Sequence, residues 1–134
     1  MAEVDVDRGS GRVQVKRVTN ALDVGRIVNP DGVRQQIEGS ISMGLGYALT
    51  EEVRFRNGQI FDRNFDTYQI PRFSWVPTVE AVLIDEREAP SLGCGEAPII
   101  TMGAVIANAI HSATGARMRQ LPMTAERIRA TLLE

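Results

Sequence analysis

Behind Asn29-Pro30-Asp31, apolar side chains return every fourth residue: Val33, Ile37, Ile41, Leu45 and Leu49. That interval follows one face of an α-helix. Proline near the first helical position, after asparagine, is a helix-start signal. The pattern predicts a helix from about residue 30 to Glu52, buried along one stripe. Gly39, Gly44 and Gly46 lie inside it. Each costs about 1 kcal/mol relative to alanine in a helix interior. Three in one helix imply a close neighbour, either another element of the fold, such as a sheet, or a ligand.

Upstream, Ala2, Val4 and Val6 alternate with Glu3, Asp5 and Asp7. Beyond Arg8-Gly9-Ser10-Gly11, Val13 and Val15 alternate with Arg12, Gln14 and Lys16. A period of two predicts a hairpin with one buried face, its outer faces opposite in charge and able to pair across strands. The alternation slips at Arg17-Val18, which predicts a bulge or a strand end. Asn57-Gly58, between Val53–Arg56 and Gln59–Phe61, is a strong signal for a second hairpin. Residues 62–78 hold Pro71, Pro77 and several aromatics and read as an ordered connection. Val79 to Ile84 reads as a strand.

A second helix is expected from Thr101 to Thr114, burying Met102, Val105, Ile106, Ala109, Ile110 and Ala113 and capped by Gly115. A third starts at Thr124, with Ile128 and Leu132 inward and Arg127 and Arg129 outward. Without regular β-α-β alternation, the mixture predicts an α+β fold: β-hairpins packed with three helices, in one domain over residues 1–134.

Composition narrows the function. The net charge is −2 and no Lys/Arg patch stands out, which argues against nucleic acid. One cysteine, Cys94, and one histidine, His111, exclude an internal disulfide and a cysteine-based zinc site. No run reaches the ~18 apolar residues of a membrane helix, and the acidic N-terminus shows no secretory signal. A soluble cytoplasmic protein is expected.

One segment carries chemistry. Gly93-Cys94-Gly95-Glu96-Ala97-Pro98 places a carboxylate on a glycine-flanked loop directly before a helix. Glycines allow tight backbone angles and close approach. The positive end of the helix dipole favours an anion there, and an open anionic carboxylate suits a general base. The same residues also suit plain helix-start chemistry. Other candidates are weaker. A carboxylate beside Cys94 opposes thiolate formation, so small-residue packing is its expected role. His111 reads as structural. Gly44-Leu45-Gly46 lacks the third glycine and preceding strand of a dinucleotide fingerprint. Glu51-Glu52 reads as a solvated helix end, and no spacing singles out Arg26, Arg34 or Arg72.

Three ordered segments resemble the molybdenum-binding subunit of the xanthine dehydrogenase/aldehyde oxidase family. The first is Asn29-Pro30 with Gln36-Ile37-Glu38-Gly39 and Gly44-Leu45-Gly46; the second is Thr67-Tyr68-Gln69-Ile70-Pro71-Arg72-Phe73. The third is Gly95-Glu96-Ala97-Pro98 before a helix ending Ala113-Thr114-Gly115-Ala116-Arg117, then Leu121-Pro122. Ala97 departs from the proline common in relatives. The chain is most similar in flavour to isoquinoline oxidoreductase and carbon monoxide dehydrogenase-like large subunits, and it resembles their C-terminal portion.

The resemblance implies a water-derived hydroxylation of an aldehyde or N-heterocycle at molybdenum held by molybdopterin, in bacteria often the cytosine dinucleotide form. It implies that Glu96 is the base that takes a proton from the metal-bound hydroxyl, and that hydride passes to a sulfido ligand. Gln36, which hydrogen-bonds the pterin, and Gly95 are the implied cofactor-binding positions. No metal ligand is carried over. The implied partners are the remaining molybdenum-subunit polypeptide and iron–sulfur and flavin subunits, with self-association a further expectation. A split subunit, a truncated gene product and an excised piece are all compatible with the short match, and cofactor binding is expected only together with a complementing chain. The competing expectation is a non-catalytic α+β module for assembly or small-ligand binding.

Overall fold

In the computed structural model, which describes residues 1–133, β1 (Ala2–Val6) and β2 (Val13–Asp23) form the expected hairpin. The pairing runs antiparallel and shifts once: Glu3 faces Arg17 and Val4 faces Val15, leaving Lys16 as the extra residue. This bulge is the slip in the hydrophobic alternation. It lets Val15 and Val18, three positions apart, both point into the core.

β2 continues well past the hairpin. Beyond the bulge, Arg17 to Asp23 pair in parallel with a later strand, Arg17 opposite Thr78 and Asp23 opposite Ile84.

α1 (Pro30–Leu49) follows, and Asn29 caps it by accepting the Gly32 amide at 3.0 Å. Val33, Ile37, Ile41, Leu45 and Ala48 are its buried stripe. It stops short of Glu52 because the amides of Thr50 and Glu51 both turn back to the Gly46 carbonyl, each at 2.8 Å. β3 (Phe55–Arg56) and β4 (Gln59–Ile60) are only two residues each. Asn57 and Gly58 sit at φ 51° and 75° between them, the left-handed pair that an Asn-Gly turn demands. A 3-10 turn at Phe73–Trp75 precedes β5 (Thr78–Ile84). The main sheet order is β1-β2-β5, so α1 and the small hairpin form a crossover between parallel strands.

α2 (Ile99–Thr114) ends at Gly115, whose φ of 84° and amide bond to the His111 carbonyl make the expected cap. Met102, Ile106 and Ile110 are fully buried, whereas Ala113 is exposed. α3 (Ala125–Leu132) begins behind Thr124, whose hydroxyl accepts the Arg127 amide. Ile128 is buried, but Arg127 does not point outward: its guanidinium donates to Glu52 and to the Pro122 carbonyl, both at 2.8 Å.

The fold is α+β, with helices on one face of a small mixed sheet and an aliphatic and methionine core between them. Two helix glycines serve this packing. A Cβ on Gly44 would stand 2.5 Å from Met102 Cγ, where α1 crosses α2, and one on Gly46 would collide with Glu51 and Pro71. Gly39 faces open space. Among the described residues, no helix is long and apolar enough to cross a membrane.

Candidate functional site

Gln36 lies on the exposed side of α1, beside the buried Ile37. Its Nε2 donates to the Gly95 carbonyl at 2.8 Å. A fold in which β2, α1 and the loop before α2 share one edge therefore brings two of the sequence candidates into contact. The third, Glu96, is the next residue.

The loop is fixed at both ends. Upstream, the Leu92 amide donates to the Val24 carbonyl at 2.8 Å. Downstream, Pro98 is buried at the start of α2, and the Ile99 amide donates to the Glu96 carbonyl at 3.0 Å. Between these anchors, a Cβ on Gly93 or Gly95 would meet nothing within 4 Å. Neither glycine has a left-handed φ. Their part is therefore not the tight backbone angle that the sequence suggests; they leave the face of the loop bare. The Glu96 side chain is exposed, and among the described residues it enters no salt bridge.

Sequence reasoning missed the residue that secures the other side of this loop. The Tyr47 hydroxyl donates to the Ile99 carbonyl at 2.6 Å and accepts from the Gly103 amide at 2.9 Å. Those two backbone groups are four residues apart, the spacing that a helix pairs directly. Tyr47 thus bonds to the first turn of α2 and ties it to α1. Gly103 makes room, since a Cβ there would lie 3.3 Å from the Tyr47 ring. The available signal was a tyrosine ending a glycine-rich helix, with a glycine early in the next one.

A shallow groove of about 470 Å3 adjoins Gln36, lined among others by Arg26, Asn29, Gly32, Ser91 and Cys94. Its rim is held by Asp85, which accepts the Ile27 amide at 3.2 Å and the Arg87 Nε at 3.1 Å. The Ile27 amide, and then the Arg87 guanidinium, hold the Asp85 carboxyl below its ordinary range. Cys94 is half-buried and packs against the core, in keeping with its expected role. His111 sits near the opposite end of α2, its Nδ1 2.9 Å from the Gly115 carbonyl. Arg26 is occupied by the Arg87 carbonyl and Arg34 lies 3.7 Å from Asp31. Glu51 and Glu52 are not a free helix end. Glu51 accepts the Tyr68 hydroxyl at 2.7 Å and Glu52 pairs with Arg127 at 2.8 Å. Among the described residues, no three His, Cys, Asp or Glu side chains gather where they could hold a metal ion.

Comparison with known proteins bears on the family and the fold. A family described as the molybdopterin cofactor-binding domain matches residues 1–77. One of the nicotinate dehydrogenase polypeptides of Pseudomonas putida is 40% identical over 132 residues, which is 98% of this chain and 11% of that protein. The aldehyde oxidoreductase molybdenum-binding subunit of Escherichia coli K12 is 34% identical over 94% of this chain and 18% of its own length. Among solved structures, the aldehyde oxidoreductase of Desulfovibrio gigas superposes with a TM-score of 0.89 at 30% identity, over 99% of this chain and 15% of that one. The chain thus spans less than a fifth of each of these relatives.

Proposed function

This chain belongs to the molybdopterin cofactor-binding domain family, and from that premise we propose that it supplies the base and part of the cofactor pocket of a molybdenum hydroxylase. The remaining pocket comes from another stretch of molybdenum-binding polypeptide. Iron–sulfur and flavin subunits carry the electrons onward, and the substrate is an aldehyde or an N-heterocycle. The relatives' names, nicotinate dehydrogenase and aldehyde oxidoreductase, support that substrate range.

The observation that carries the reading is the meeting of Gln36 with Gly95, directly beside an exposed Glu96 carboxylate. The residues suit the cofactor. Gln36 uses Nε2 on the loop, and its Oε1 has no protein donor among the described residues. That acceptor matches the N–H groups of a pterin. The bare glycine face leaves room for a flat ring.

When bound, molybdopterin supplies a dithiolene-held molybdenum that exchanges electrons with a carbon centre. The chain's own part is proton handling and orientation. Glu96 accepts a proton on a carboxylate oxygen, and its exposure lets it reach a group outside this chain. Gln36 holds the loop and Tyr47 the helix turn after it, so the backbone that carries Glu96 is fixed from two sides before the proton moves.

The test is the assembled native enzyme with Glu96→Gln. We expect turnover to fall by about 10²–10⁴-fold, the usual worth of a positioned acid–base group, with molybdenum and pterin content unchanged. Full turnover in that variant would remove Glu96 from the mechanism.

A further inference from the structure

The chain has seven aromatic residues, and six of them lie between Phe55 and Trp75. Phenylalanine is normally among the most buried side chains. Here all four are on the surface: Phe55 is 73% exposed, Phe61 53%, Phe65 74% and Phe73 94%. The core beneath is aliphatic and methionine. Apolar surface concentrated in this way marks an interaction site.

The segment is not a loose loop. Asp62 clamps it, accepting Arg54 Nη2 at 2.6 Å and the Arg54 amide at 2.6 Å. The Tyr68 hydroxyl ties it to Glu51, and the Thr50 hydroxyl donates to the Gln69 carbonyl at 2.9 Å. Its shape is therefore set before any partner arrives, which lowers the entropy cost of association. Four arginines, 54, 56, 63 and 72, accompany two aspartates, 62 and 66, although the whole chain is net negative. Arginine with aromatic residues is the composition of protein interface cores.

We infer that residues 55–76 are the face on which the rest of the molybdenum-binding polypeptide docks, with Phe65 and Phe73 as anchors. The inference rests on the proposed function, in which that polypeptide completes the cofactor pocket. The length relation names the occupant: more than four fifths of each compared relative lies outside the stretch this chain matches. A fold that belongs inside so large a body needs a face turned toward it, and this segment carries the largest share of aromatic surface.

The experiment recovers the tagged full chain from its native cells under mild conditions and quantifies the accompanying molybdenum polypeptide by mass spectrometry and metal analysis. The double variant F65S/F73S should recover at least ten-fold less. Leu133→Ser, which removes an equally exposed apolar side chain elsewhere, should recover as much as the wild type. A photo-crosslinking phenylalanine analogue at position 73 guards against misfolding of the double variant and should join the chain to the molybdenum polypeptide. Undiminished recovery by F65S/F73S, or crosslinking to a second copy of this chain or to lipid, overturns the docking face while leaving the proposed function standing. If the wild-type chain itself recovers no molybdenum polypeptide, the proposed function falls, and the docking inference with it.

Discussion

Gln36 and Gly95, 59 positions apart in the chain, meet through a 2.8 Å hydrogen bond from the amide nitrogen to the carbonyl. It is one of two hydrogen-bonded links, with Tyr47, that hold α1 against the loop carrying Glu96 and the helix turn after it. An exposed neutral hydrogen bond contributes only about 0.5–1.5 kcal/mol, so its removal should act locally. Gln36→Leu should unfold no more readily than the wild type beyond that margin. Amide exchange at Leu92 and Ile99, whose N–H groups donate to the Val24 and Glu96 carbonyls at the two ends of the loop, should nevertheless quicken. Unchanged exchange there would mean that Leu92, Pro98 and Tyr47 hold the loop without help.

Tyr47 acts on the same loop from behind. Its hydroxyl satisfies the Ile99 carbonyl and the Gly103 amide at once. Tyr47→Phe keeps the ring and deletes both bonds. A stability loss of about 1–2 kcal/mol is expected, read from thermal or urea denaturation. Exchange should quicken at residues 99–103. If stability and exchange both match the wild type, the hydroxyl does not set the position of α2.

Much of this was legible in the sequence, and the exceptions share a cause. The stripe of α1 and its Asn29 cap are local patterns, so they could be read directly. The bulge showed as a slip in alternation. The second half of β2 did not show, because Thr19, Asn20 and Asp23 are polar and the strand exists through pairing with β5, some sixty residues later. Glu51, Glu52 and Arg127 looked solvated for the same reason: their partners are distant in sequence. Glu96 stood out by its glycines and its helix. Gln36 was named through family resemblance alone, and no periodicity could have placed it on the Gly95 carbonyl.

The aromatic segment should loosen at both extremes of pH. The Arg54 guanidinium, with the Arg54 amide, holds the Asp62 carboxyl below its ordinary range. A lowered carboxyl stabilises the fold fully above its unfolded value, about 3.9. That contribution is lost as pH falls through the lowered folded value. The hydrogen bond to Glu51 raises the Tyr68 hydroxyl above its ordinary range. Its contribution is complete below about pH 10 and is lost as pH rises through the raised value. Trp75, the single tryptophan, lies in this segment and reports on it. Its emission should be level through the neutral range and shift in strong acid. In Asp62→Asn the acid step should vanish. An acid step that survives in the variant would assign it to other carboxylates, such as Asp7 or Asp85, which are lowered in the same direction by the Ser10 and Ile27 amides.

Two glycines of α1 should respond to alanine with opposite sign. Gly39 is exposed in the helix interior, and a Cβ there would meet nothing within 4 Å. Gly39→Ala should therefore gain helix propensity unopposed and stabilise the chain by up to about 1 kcal/mol. Gly44 carries the same propensity cost, but its Cβ would stand 2.5 Å and 2.6 Å from Met102 Cγ and Cβ. Because Met102 is fully buried and its Cβ cannot swing away, α1 and α2 must part. Overpacking of that kind costs about 1–3 kcal/mol, enough to outweigh the gain, so Gly44→Ala should lower the denaturation midpoint. Gly39 also lies three residues after Gln36, on the same side of the helix. If the pterin rests against that side, Gly39→Ala should raise the midpoint of the chain and still lower molybdenum retention in the assembled enzyme. A rise in both would place the cofactor away from this part of α1.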